Sequence, residues 1–186
     1  MKKVNVNQMV SVALLMAIVV VLQLLGQFIK FGPVSISLVL VPIVVGAAMC
    51  GPVAGAILGA TFSVVVLLQP DTVFFYGISV FGTVATVLVK GILAGFLAGQ
   101  VFRAVEGKNK ILAVILAAAV CPVVNTGIFL IGCRLFFWNA MNELGGGNAV
   151  KFVITVMVGF NFLAEFAANL ICSHLIVRII NAVKHH

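Results

Sequence analysis

The sequence predicts an all-α integral membrane protein, a six-helix transmembrane bundle in one domain spanning residues 1–186, with both termini cytoplasmic. Three observations carry this. Hydrophobic residues make up 63% of the 186 and charged residues only 8%, with a mean hydropathy of +1.31. A soluble domain carries about a quarter charged residues and could not hide so much apolar surface. Polar breaks then cut the chain into runs close to the roughly 20 residues that cross a bilayer. Finally, basic residues are unevenly shared between the two ends of those runs, as the positive-inside rule requires.

The first helix is expected from about Met9 to Ile29, after a basic start. Its apolar run is too long for a signal peptide and lacks a small-x-small cleavage site. Lys30-Phe31-Gly32-Pro33 breaks it, because proline restricts the residue before it. The second helix, about Ser35 to Met49, contains Pro42. Gly51-Pro52 turns tightly into the third, about Val53 to Gln69, which Pro70-Asp71 ends. Residues 72–79 (TVFFYGIS) read as a loop or interfacial piece.

The fourth helix runs from near Val80 to Val105, and Glu106-Gly107-Lys108-Asn109-Lys110 forms a polar loop. The fifth, about Ile111 to Phe136, holds Pro122, tolerated where neighbouring helices satisfy the freed carbonyl. Residues 138–148 are the longest polar connection. The sixth helix, about Ala149 to Val183, is longer than a membrane needs and must tilt or project.

Lys2, Lys3, Arg103, Lys108, Lys110, Arg178 and Lys184 fall on the terminal side, and Lys30, Arg134 and Lys151 on the other. Seven against three puts both termini inside. The net charge of +7 is therefore a topology signal and not a nucleic-acid footprint. Gly51, Gly55, Gly59 and Ser63 recur every fourth residue, as do Gly91, Gly95 and Gly99. Glycine at that spacing lets helix backbones approach closely in lipid.

Lys90 stands alone as a charge in TVATVLVKGILAGFLAGQVF, residues 83–102. A cation at that depth is costly unless it faces a protein interior, a water-filled cavity or a partner. Depth matching finds its company. Lys90 lies about 15 Å into the fourth helix, Asn161 about 18 Å into the sixth, and Asn125 near the mid-plane of the fifth. Asn161, Glu165 and Asn169 share one helix face. Lys90 and Glu165 are expected to pair directly, or through a ligand or Asn161, since each alone is expensive. A pair that only fixes helix packing is the structural alternative. Arg134, Gln69 and Tyr76 are candidates on the outer rim, with Trp138 an interfacial anchor.

Cys50, Cys121, Cys133 and Cys172 lack metal-ligand spacing and read as buried free thiols. No metal or cofactor is called for. There is no phosphate-binding loop, no HExxH and no nucleophile elbow, so the chain does not read as an enzyme. No clear internal repeat supports an inverted-repeat carrier.

The chain resembles the substrate-binding S components of energy-coupling factor (ECF) vitamin transporters. The residues that carry the likeness are Ala13-xxx-Ala17 and VPIVVGAAMCGPVAGAILGATF (41–62), with KGILAGFLAGQVFR (90–103), PVVNTGIFL (122–130) and NFLAEFAANL (161–170). The resemblance implies a prokaryotic multi-pass plasma-membrane subunit that captures a small water-soluble vitamin from outside. It also implies delivery inward with a transmembrane coupling subunit and two cytoplasmic ATPases. Ala13 and Ala17 would form the docking face, and residues 30–37 and 70–80 the gates.

The closest likeness is to the pantothenate-carrier branch, which commonly has arginine where Lys90 stands. Lysine departs from that pattern, and the two are not interchangeable at a bidentate carboxylate site. Lipoate or another small acid would suit the same ammonium. Thiamine and riboflavin are disfavoured, because no aromatic-rich pocket is legible on the sixth helix. The rival from another class is a self-sufficient secondary transporter or channel using Lys90 and Glu165 as an ion relay.

Overall fold

The computed structural model describes residues 6–26, 30–31, 34–35 and 38–184, which are almost entirely helical. The first helix, α1, spans Val6–Gly26. A two-residue antiparallel pairing follows, with Lys30 opposite Ser35 and Phe31 opposite Val34. That pairing takes Ser35 out of the second helix, so α2 is shorter than expected, Leu40–Cys50. Gly51, at φ 96°, makes the turn into α3, Pro52–Leu67. Proline suits the first helical position, where its missing N–H costs nothing.

Residues 72–79 are not a loop. All but the last belong to α4, Pro70–Ile78, which leaves α3 at 81°. Pro70-Asp71 ends one helix and starts the next, with proline in the first turn and an acidic residue beside the positive end of the helix dipole. The last carbonyls of α3 need partners. Thr72 Oγ1 donates to Val66 O at 2.6 Å and the Tyr76 hydroxyl to Leu67 O at 2.9 Å, which ties α4 back across the bend.

Two long helices follow, α5 (Val80–Glu106) and α6 (Lys110–Phe136), each with a side-chain cap. Ser79 Oγ accepts from Gly82 N, and Asn109 Oδ1 accepts from Leu112 N. Such caps satisfy amides that have no intrahelical partner. The polar connection after α6 holds a further short helix, α7, Trp138–Leu144. The last expected helix is interrupted near its start. It runs as α8 (Ala149–Phe152), a wide π-helical turn (Val153–Val158) and α9 (Gly159–Lys184). Within the wide turn, Thr155 Oγ1 bonds back to Lys151 O at 2.7 Å, a contact that competes with regular α-helical geometry.

Among the described residues, three helices are long and apolar enough to cross a membrane: Gln8–Gly26, Val80–Glu106 and Lys110–Phe136. The bent α3–α4 pair makes a fourth if taken as one span. Helix α5 is the hub, packed along α3 on one side and α6 on the other. The glycine rows account for the first contact. A Cβ on Gly59 would collide with the Gly91 carbonyl, and one on Gly95 with the Gly55 carbonyl. Ser63 Oγ continues the row, donating to Gly59 O at 2.9 Å and to Val87 O at 2.7 Å.

Two apolar clusters divide the interior. The larger gathers Leu15, Val19, Ile43, Val44, Leu58, Phe62, Ala94, Ala98 and Phe102 with the alanine face of α6. The smaller, around Phe137, Met141, Ala149 and Val153, sits by the 137–153 connection. The four cysteines are free.

Candidate functional site

A cavity of about 440 Å³ has walls in both clusters. That volume suits a small-molecule site. It occupies one half of the bundle. Its walls come from the last turns of α1 and α3, from α4, the first half of α5, the second half of α6 and the segment through Val158, Phe162 and Glu165. The connections around 68–79 and 137–148 lie at that same end.

Lys90, Asn125 and Glu165 all line this cavity. Three separate helices, α5, α6 and α9, deliver them. Lys90 is half-buried, while Asn125 and Glu165 are buried. The Lys90 Nζ sits 5.7 Å from the Phe62 ring centroid and 5.4 Å from that of Phe129. Aromatic faces at this range attract an ammonium while leaving its N–H donors unspent. Glu165 is the leading opposite charge acting on it. Glu165 and Asp71, the other carboxylate in the lining, both have partners within the protein.

Among the described residues, Asn125 Oδ1 has no hydrogen-bond partner, and neither does Thr86 Oγ1, one helical turn before Lys90 on α5. Buried polar atoms are normally satisfied, so such exceptions call for an explanation. Asn169 does not line the cavity. Its Nδ2 donates to Glu165 O at 2.9 Å, one turn back along α9. Asn161 falls on α9, and its side chain lies outside those the structure describes.

The rim candidates are placed differently. Gln69 lines the cavity, but its amide is engaged. Gln23 Nε2 donates to Gln69 Oε1 at 2.8 Å, and Gln69 Nε2 donates to Gln23 O at 3.0 Å, fastening α1 to the α3–α4 bend. Tyr76 is not among the lining residues, and its hydroxyl holds the bend. Arg134 is exposed, outside the lining, with its guanidinium 4.5 Å over the Trp138 ring. Ala13 and Ala17 are both exposed on α1, on a face shared with Val10, Leu14, Val21 and Leu24.

The aromatic wall is not legible in the sequence. Seven phenylalanines line the cavity: Phe62, Phe74, Phe75, Phe129, Phe137, Phe152 and Phe162. Phe75 stands edge-on to Phe129 and Phe137, with centroids 5.8 and 5.1 Å away. Phe152 and Phe162 come from the α8–α9 segment, so the expectation that this part of the chain offers no aromatic pocket is overturned. With it goes the ground for disfavouring flat-ring ligands.

A bundle of apolar helices enclosing a cavity with a cation and an aromatic wall has the layout of a membrane protein that holds a small solute. The family comparison agrees. The family model described as ECF transporter, substrate-specific component, matches residues 7–177. The chain belongs to this family of substrate-specific ECF transporter components. It is a family of membrane transporter subunits and not of enzymes, and its members bind a small substrate and work with a transmembrane and ATPase module. No curated protein and no solved structure matches the chain.

Proposed function

We propose that this subunit captures a small carboxylate-bearing vitamin or related micronutrient, with Lys90 holding the carboxylate. One observation carries the reading: among the described residues lining the cavity Lys90 is the only cation, and its described contacts are ring faces that leave its donors available. Asn125 and Asn161 serve the ligand's amide or hydroxyl groups, and Glu165 steadies Lys90 or accepts from a ligand donor. Pantothenate is the vitamin to which the family resemblance points.

In the same reading the chain is one multi-pass domain of six crossings in a prokaryotic plasma membrane, with both termini inside. The cavity half of the bundle then faces outward. Ala13 and Ala17 present a flat small-residue face to the transmembrane coupling subunit, whose two ATPases drive delivery inward. The exposed apolar side of α1 supports that assignment.

Calorimetric titration of the purified chain with pantothenate and with its neutral amide tests the site. The acid binds and the amide does not, and Lys90→Gln weakens the acid about 10- to 150-fold, the worth of a hydrogen bond to a charged group. Equal binding of acid and amide would sink the assignment.

A further inference from the structure

The polar groups of the cavity are unevenly committed. Near its α1 and α4 side, Gln23 and Gln69 are bonded to one another and Thr72 to Val66 O. Thr83 is bonded to Ser79 O, and Asp71 and Glu165 have partners within the protein. Capacity remains around Lys90, which offers its ammonium beside the buried Asn125 amide and Thr86 hydroxyl, whose Oδ1 and Oγ1 have no hydrogen-bond partner among the described residues. The amide can present either its N–H₂ or its oxygen, since the two ends are interchangeable by rotation. Beyond that point the walls are phenylalanine rings, with Phe75 at the centre of an edge-to-face group.

Resting on the carboxylate reading of Lys90, we propose that the cavity selects acids with a hydrocarbon or aromatic body. The carboxylate meets Lys90, one polar group meets the Asn125 amide, and the remainder lies against Phe75, Phe129 and Phe162. An aryl or alkyl body loses nothing on leaving water for ring faces and gains edge or stacked contacts with them. A polyhydroxylated body would bring more hydroxyls than Asn125 and Thr86 can satisfy, and the rest would face phenylalanine rings. Each one left unsatisfied weakens binding about tenfold. The same bookkeeping ranks pantothenate, with hydroxyls and an amide to satisfy, below an acid of similar size with an apolar body.

The experiment uses the full chain in lipid nanodiscs and measures affinities for phenylpropionate, hexanoate, gluconate and the neutral phenylpropionamide. Phenylpropionate and hexanoate bind at least tenfold tighter than gluconate, and phenylpropionamide loses most of the affinity. Phe129→Leu, which keeps apolar bulk but removes a ring, weakens phenylpropionate more than hexanoate. Phe162→Leu, at another ring proposed to meet the ligand's body, gives the same ordering should Phe129→Leu fail to fold. If gluconate binds as tightly as the apolar acids and Lys90→Gln abolishes all three, the selectivity proposed here is wrong while the Lys90 assignment survives. If the amide binds as well as the acid, or no acid binds, both fall.

Discussion

Substituting alanine at Gly59 tests the scaffold that aims Lys90. The new Cβ would meet the Gly91 carbonyl oxygen and carbon, backbone atoms that no rotamer change can move aside. Relief requires α3 and α5 to part at the residue following Lys90. Overpacking of this kind costs about 1–3 kcal/mol, and a rigid backbone neighbour places it at the upper end. Alanine's better helix propensity returns about 1 kcal/mol. The net loss is about 2 kcal/mol, which for a chain of this size lowers Tm by about 4–8 °C.

Gly127→Ala is the internal control. It makes the same substitution inside α6, where a Cβ meets nothing within 4 Å. It collects the propensity gain without the clash, so the two variants differ by about 3 kcal/mol. Thermal unfolding of both in one detergent or nanodisc preparation measures that contrast. Because the separation moves Lys90 on α5 away from Phe62 on α3, Gly59→Ala also loses ligand affinity. A Gly59→Ala protein melting at or above the Gly127→Ala temperature would refute the close approach of α3 and α5.

Other outcomes follow from single contacts. Ala17→Trp, on the exposed face of α1, leaves ligand binding unchanged and abolishes co-purification with the coupling subunit; loss of ligand binding instead would contradict a separate docking role. Gln69→Leu removes both bonds to the buried Gln23, lowering stability by about 2 kcal/mol in thermal unfolding. Tyr76→Phe frees the Leu67 carbonyl and costs about 1 kcal/mol, with ligand affinity unchanged within error of a titration.

The parts of this molecule that are readable from the chain alone are those set by local rules. Gly51-Pro52 and the glycine rows speak for themselves because turn geometry and close approach each demand particular residues. Counting rise along helices sets Lys90, Asn125 and Asn161 at one level, since depth in a membrane is nearly a one-dimensional coordinate. Glu165 lies one turn on from Asn161 along the same face. Helix α4 escapes such reading because Pro70-Asp71 signals a stop and a start equally well. A nine-residue helix is also too short to show a period.

The phenylalanine wall is hidden for a different reason. Phe62, Phe75, Phe129, Phe137, Phe152 and Phe162 come from separate segments with no shared spacing, so only the packing of α3 through α9 assembles them. Gln69 and Tyr76 illustrate the converse. Both sit near the expected rim, but each has a specific intramolecular partner that no composition argument could supply.

Whether Lys90 holds the carboxylate of the transported molecule can be asked of the protein directly, even with the ligand unidentified. Small molecules released from the purified native chain and from Lys90→Gln are compared by mass spectrometry. A carboxylic acid is expected in the native sample and missing from Lys90→Gln at equal protein recovery. The same compound retained at equal occupancy in both, or a ligand with no acidic group, would contradict the assignment.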